Sequence, residues 1–261
     1  MVRLFFVLLG LCPLNWVHAA MVSQTLSYEV NGVPMRSVLV YDDASRTPRP
    51  ALVLVPNWMG VTDAAVEKAK AIAGDRYVVL VADVYGAEVR PSNAQQAGAA
   101  AKAMYDDRQL LRQRARAALS ELKAAAESAP IDPQRLGAIG FCFGGATVLE
   151  LARAGAPVAG VVSFHGNLAT SLPAQAGDAI PPMLVLNGAD DPLVSAEQIG
   201  AFQDEMTAAG ADWTFVNYAG AVHCFAEADA ASPPACIYHP RNAARAFRAM
   251  NDFLAEAFAE H

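Results

Sequence analysis

The chain has 261 residues, of which 54% are apolar and 17% charged, which is ample for a buried core and unlike a disordered segment. The formal net charge of -7 argues against a nucleic-acid partner, since such binders neutralise phosphates with clustered Lys and Arg. Length alone allows one large α/β domain or two small ones.

In chain order, the first element is a short basic start ending at Arg3, an apolar run over 4–14, and Val17-His18-Ala19. This is the pattern of an export signal, with the cut expected after Ala19 and the mature domain over 20–261. The apolar run is shorter than the roughly 20 residues that a bilayer span needs. No later stretch reads as transmembrane, so the mature chain is expected to carry no membrane span. The expected location is periplasmic or secreted.

Two antiparallel strands over 25–30 and 34–41 follow, joined by a turn at Asn31-Gly32. Five further strands are expected over 51–55, 77–82, 136–141, 158–164 and 183–186. Their apolar runs are nearly continuous, as in strands buried on both faces of a parallel sheet. Helices are expected over 62–74, 93–128, 144–154, 195–210 and 240–260. In the second, Leu111, Ala115, Ala118, Leu119 and Leu122 share one face, while Arg112, Arg114, Arg116, Glu121 and Lys123 spread over the rest. A last strand is expected over 212–218. Alternating strands and helices, with no internal repeat or linker, predict a single doubly wound α/β domain.

The strand over 136–141 runs into Gly140-Phe141-Cys142-Phe143-Gly144-Gly145 and then a helix. Gly-x-Cys-x-Gly between a strand and a helix is the thiol form of a nucleophile elbow. The strained turn needs neighbours without a Cβ two positions away. The N-terminal N–H groups of the following helix favour a thiolate and can hold an oxyanion. In such folds the acid and then the base follow the nucleophile in chain order. Of the 5 His, His223 occupies the loop after the last strand and is the expected base. His239 opens the last helix and reads as a surface residue. His165 ends its strand and either lines the pocket or is a hydrogen-bonded core histidine. The acid should follow the strand over 183–186, where Asp190 and Asp191 compete.

Three segments, Gly140-Phe141-Cys142-Phe143-Gly144, Asp191-Pro192-Leu193-Val194 and His223-Cys224-Phe225-Ala226, resemble the triad segments of the dienelactone hydrolase family. The resemblance extends from about residue 25 to the C-terminus. It implies the α/β-hydrolase fold and an ester- or lactone-cleaving triad of Cys142, His223 and Asp191, the last in preference to Asp190. It further implies that the backbone N–H groups of Trp58 and Phe143 form the oxyanion hole. Two positions depart from the family. Asn57 stands where well-studied members carry a Glu that interacts with the resting thiol. Glu227 stands where an Arg holds the carboxylate of the namesake lactone. Glu227 and Asn57, the latter unless it is only a turn residue after its strand, are expected around the substrate together with His165 at its strand end, and a neutral ester or lactone is expected to be preferred. Arg108 and Arg112 could replace the missing Arg, or could lie on a solvated helix face.

No cofactor is expected, because no Gly-rich dinucleotide fingerprint follows the first strands. No metal is expected either, since the histidines lack ligand spacing. Apart from Cys12 in the signal, the cysteines are Cys142, Cys224 and Cys236. Cys224 and Cys236, twelve positions apart, can bridge and leave Cys142 free; the alternative is two unpaired thiols. Two other functions compete: a thiol-redox protein using Cys142, against which the lack of Cys-x-x-Cys counts, and a catalytically inactive binding protein on the same fold. The oligomeric state is not legible.

Overall fold

A computed structural model describes residues 20–259. The export signal expected over 1–19 lies outside them. The chain forms a mixed sheet of eight strands: β1 (Met21–Val30), β2 (Val33–Asp42), β3 (Arg49–Val55), β4 (Val78–Val81), β5 (Ile131–Phe141), β6 (Gly160–Phe164), β7 (Met183–Gly188) and β8 (Trp213–Tyr218). Their spatial order is β1-β2-β4-β3-β5-β6-β7-β8. β1 and β2 are antiparallel, β2 meets β4 antiparallel, and every pair from β4 to β8 is parallel. The β1–β2 turn places Asn31 and Gly32 at φ 52° and 76°, the doubly positive geometry of a type I′ hairpin turn.

The parallel strands are coated on both faces, which is why their sequences are apolar without alternation. One face carries α2 (Ala94–Asp106), α3 (Arg108–Ala124), α4 (Phe143–Arg153) and α5 (Ala196–Ala209). The other carries α1 (Asp63–Ala73) and α6 (Pro240–Ala259). In α3 the face formed by Leu111, Ala115, Ala118, Leu119 and Leu122 is buried, as its spacing predicts.

Two expectations need correction. The helix expected over 93–128 is two α-helices and a short 3-10 turn, because Asp107 leaves helical geometry at φ -121°, ψ 77°, and its side chain accepts from the N–H of Leu110. A capping side chain there ends one helix and starts the next. Arg114, read as lying off the apolar face, is buried and donates to the carbonyls of Val84 and Tyr85 at 3.0 and 2.7 Å. It ties α3 to the loop that leaves β4.

After β8 the chain makes a loop that contains a two-stranded ribbon, β9 (Ala231–Ser232) with β10 (Cys236–Ile237). A disulfide joins Cys224 to Cys236. His223 bridges to Cys236, and the N–H of Ile237 donates to the carbonyl of His223 at 3.1 Å. Among the described residues no helix is long and apolar enough to cross a membrane, and no three metal-ligating side chains cluster.

Candidate active site

The C-terminal ends of β3, β5, β7 and β8 meet at Cys142, the junction of β5 and α4. Its backbone has φ 55° and ψ -115°, a region an L-residue enters only under constraint. The flanking glycines make the turn possible. A Cβ at Gly140 would sit 2.1 Å from the carbonyl oxygen of Gly144, and one at Gly144 would sit 1.9 Å from that of Val55. The second contact also seats the elbow against the end of β3, so the segment after Val55 borders the thiol.

Cys142, His223 and Asp191 come together. The Sγ of Cys142 lies 3.1 Å from Nε2 of His223, and Nδ1 of His223 lies 2.7 Å from Oδ2 of Asp191. The other oxygen of Asp191 accepts from the N–H of Leu193 at 2.8 Å, which fixes the carboxylate. Asp190 is exposed and takes no part in this chain. Burial pushes the His223 imidazole down, but hydrogen bonds and charges from Asp191 and Cys142 outweigh it and hold the group up at about 10.

Asn57 shapes the loop after β3. Its Oδ1 accepts from the N–H of Met59, and its carbonyl accepts from the N–H of Gly60. Trp58, 39% exposed, is held by its carbonyl, which accepts from the hydroxyl of Tyr85 at 3.1 Å. Phe143 opens α4, so its N–H has no acceptor within the helix. Tyr85 and Tyr105 pack against the Phe143 ring, and desolvation pushes both phenols up, keeping them neutral.

His165 is a core histidine and forms no part of the cavity wall. It is fully buried, with φ 39°, and its Nδ1 accepts from the N–H of Cys142 at 3.1 Å. Burial, followed by the charges of His223 and Lys68, holds it well below the usual imidazole range. Its ring meets that of His223 edge-on at 5.1 Å.

Neither Arg108 nor Arg112 lies on a solvated face. Both turn to the buried Glu150, at 3.9 and 2.8 Å, and to the carbonyls of Ala169 and Leu172.

A cavity of about 620 Å³ opens between α1, the loop after β3, the segment 226–229 and α6. Neither Cys142 nor His223 lines it; it shares Asn57 and Met59 with the Trp58 loop. Glu227 is on its wall and 3% exposed. One carboxylate oxygen accepts from Nδ2 of Asn57 at 2.7 Å and from Nζ of Lys68 at 2.8 Å; the other is buried without a partner. Lys68 was absent from the sequence-based site. The signal for it was its place on the buried stripe of α1, with Ala65, Ala69 and Ile72.

The sequence comparison matches the dienelactone hydrolase family over residues 35–258. This chain belongs to the dienelactone hydrolase family. It is therefore a hydrolase of the carboxylic ester class. It is similar to the crystal structure of the dienelactone hydrolase-like promiscuous phosphotriesterase P91 from metagenomic libraries, with a TM-score of 0.83 and 36% identity over 92% of this chain and 99% of that one. An uncharacterized protein of Caenorhabditis elegans is 36% identical over 57% of this chain and 95% of its own length. A Bradyrhizobium protein described as "Probable 2-oxo-3-(5-oxofuran-2-ylidene)propanoate lactonase" is 30% identical over 68% of this chain and 74% of its own.

Proposed function

We propose that this hydrolase cleaves its ester or lactone by acyl transfer through Cys142, with His223 as acid and base and Asp191 as the group that orients it. The observation that carries this reading is the unbroken hydrogen-bonded series from Asp191 through His223 to a thiol on a positive-φ elbow. Nε2 of His223, 3.1 Å from Sγ, is placed to take the proton of Cys142, so that Sγ enters the reaction as a thiolate beside an imidazolium.

Sγ attacks the carbonyl carbon, and the carbonyl electron pair moves to oxygen. The N–H groups of Trp58 and Phe143 hold that oxyanion, each worth about 3 kcal/mol. Collapse expels the alkoxide, which takes the proton from Nε2 of His223 and leaves a thioacyl enzyme. Nε2 then accepts a proton from water, the hydroxide attacks the thioester, and the second collapse releases the acid and restores the thiolate. A lactone follows the same course, with its alcohol arm still tethered to the acyl group. Asp191 stabilises the imidazolium and fixes its tautomer.

The rival redox reading needs a resolving thiol. Cys224 and Cys236 are bonded to each other, which speaks for hydrolysis. The partner is then a small-molecule ester or lactone. We also read residues 1–19 as an export signal, since a disulfide of this kind persists in an oxidising compartment such as the periplasm.

The test is hydrolysis of an activated ester by purified protein before and after thiol alkylation, Cys142 being the one free cysteine among the described residues. Mass spectrometry of the quenched enzyme accompanies it. Alkylation or Cys142→Ala is expected to remove nearly all turnover with the fold intact, and the quenched wild type should carry an acyl adduct on Cys142. Wild-type turnover by a folded Cys142→Ala protein would sink the assignment. Absence of turnover on any ester or lactone would favour the inactive binding protein.

A further inference from the structure

We propose that the cavity bordered by the Trp58 loop is the subsite for an uncharged, largely apolar part of the substrate, and that Glu227 makes it so by masking Lys68. The inference rests on the ester-hydrolase reading and names the substrate class for it.

Position comes first. Asn57 and Met59 both line the cavity, and Trp58, whose N–H is the proposed oxyanion donor, lies between them. The loop that would present that N–H to a substrate carbonyl thus also forms part of the cavity wall. Its volume of about 620 Å³ is that of a ligand pocket rather than a packing fault. Leu54, Pro56, Met59 and Phe247 give it apolar walls against which an alkyl or aryl group would be buried.

Charge comes second. Among the residues on the wall Lys68 carries the sole ammonium, against Glu67, Glu227 and Asp229. That ammonium is already engaged: it lies 2.8 Å from the Glu227 carboxylate and 4.3 Å over the Phe141 ring. Glu227 is buried, so the pair is only weakly screened. A ligand carboxylate would have to share Lys68 with Glu227 and accept repulsion from it at short range. A neutral group meets no such opposition. The carboxylate of Glu227 acts as a resident anion in the place an anionic substrate would need. Removing its charge while keeping its shape should expose a cation-lined pocket.

The experiment uses two non-hydrolysable amide analogues that differ at the distal end, one closing in a methyl group and one in a carboxylate. Binding is measured by calorimetry, and kcat/KM is measured with the matching esters. The wild type should favour the methyl-terminated analogue by about tenfold or more. Glu227→Gln should shift the ratio toward the carboxylate by about tenfold, and Glu227→Gln with Lys68→Met should cancel that shift. If Glu227→Gln does not fold, Lys68→Met alone serves: it leaves Glu227 unopposed and should weaken the carboxylate analogue more than the methyl one. The proposal is overturned by a wild type that binds the carboxylate as well as the methyl analogue. It is equally overturned by a Glu227→Gln ratio that does not move, by a shift that survives loss of Lys68, or by equal weakening in Lys68→Met. Binding ratios as expected without turnover of the esters would sink the hydrolase reading alone. Turnover with unmoved ratios would sink this one alone.

Discussion

Two buried glutamates show how differently one side chain can be used. Glu150, on α4, is fully buried and ringed by guanidinium groups: Arg112 at 2.8 Å, Arg153 at 3.4 Å and Arg108 at 3.9 Å. Arg153 is held in turn by Glu205 and by the carbonyl of Leu168. Both oxygens of Glu150 accept from guanidinium groups, although Nη1 of Arg108 is itself buried without a hydrogen-bond partner, and the cluster fastens α3 to α4. Glu227 is nearly as buried but has one ammonium and one amide, both on the same oxygen. Its other oxygen is unpaired, and it faces a cavity rather than a helix interface. A buried charge satisfied on all sides holds elements together. One satisfied on one side, next to open volume, marks a place where a ligand is sorted.

The contrast can be broken most severely at Glu150. Glu150→Ala leaves Arg108 and Arg112 without an anion and Arg153 with Glu205 alone, and should cost about 3–5 kcal/mol of stability, read from urea denaturation. Any molecules that remain folded should keep the wild-type kcat/KM. A loss of activity beyond the unfolded fraction would mean that the cluster also serves the site.

A smaller stability change, about 3 kcal/mol in the chain-entropy model, is expected on replacing both Cys224 and Cys236 with Ser. Here stability and activity should fall together, unlike at Glu150, because the lost bridge braces the residue next to His223. A variant that is less stable but equally active per folded molecule would show that the ribbon does not position the base.

Glu227→Ala should cost only about 1 kcal/mol, since Lys68 is partly exposed and can turn to water. A denaturation midpoint displaced as far as that of Glu150→Ala would erase the distinction between the two glutamates.

The pH profile gives the finest separation. The folded-state pKa of His223 is raised from 6.5 to about 10, so the imidazolium form is the one favoured by folding. Its contribution to stability is complete below 6.5 and is lost as pH rises through about 10. The alkaline limb of kcat/KM should fall in the same window. Asp191→Asn removes one cause of the rise and should draw the limb toward neutrality, whereas Glu150→Gln should leave it in place. A limb that moves equally in both variants would locate its origin outside His223.

Much of this was legible in the sequence because the signals are local. Unbroken apolar runs report strands buried on two faces, and Gly140 and Gly144 report a turn with no room for a Cβ. His223 was found from chain order, and Asp191 was separated from Asp190 only by family resemblance; in space their burial separates them. The Cys224–Cys236 bridge followed from an odd count of thiols. What the sequence hid depends on tertiary placement. Lys68 reads as an ordinary helix lysine until α1 is laid against Glu227. Arg114 reads as surface until the carbonyls of Val84 and Tyr85 are found above it. Arg108 and Arg112 looked like substrate clamps or solvated charges because nothing nearby in sequence announces Glu150. The break at Asp107 had a cue, an Asp three residues before Leu110, but helix-forming neighbours on both sides outweighed it.

The bridge beside His223 also bears on how the molecule must be made. The described residues hold three cysteines, and the thiol that is proposed to attack substrate stands one imidazole away from a half of that bridge. On the export reading proposed above, either partner cysteine would compete for Cys142 while the bridge forms. Such a mispaired chain could have the right mass and keep much of its secondary structure, yet it would have no nucleophile. On that reading, closing Cys224 on Cys236 withdraws both competitors and leaves the Cys142 sulfur free.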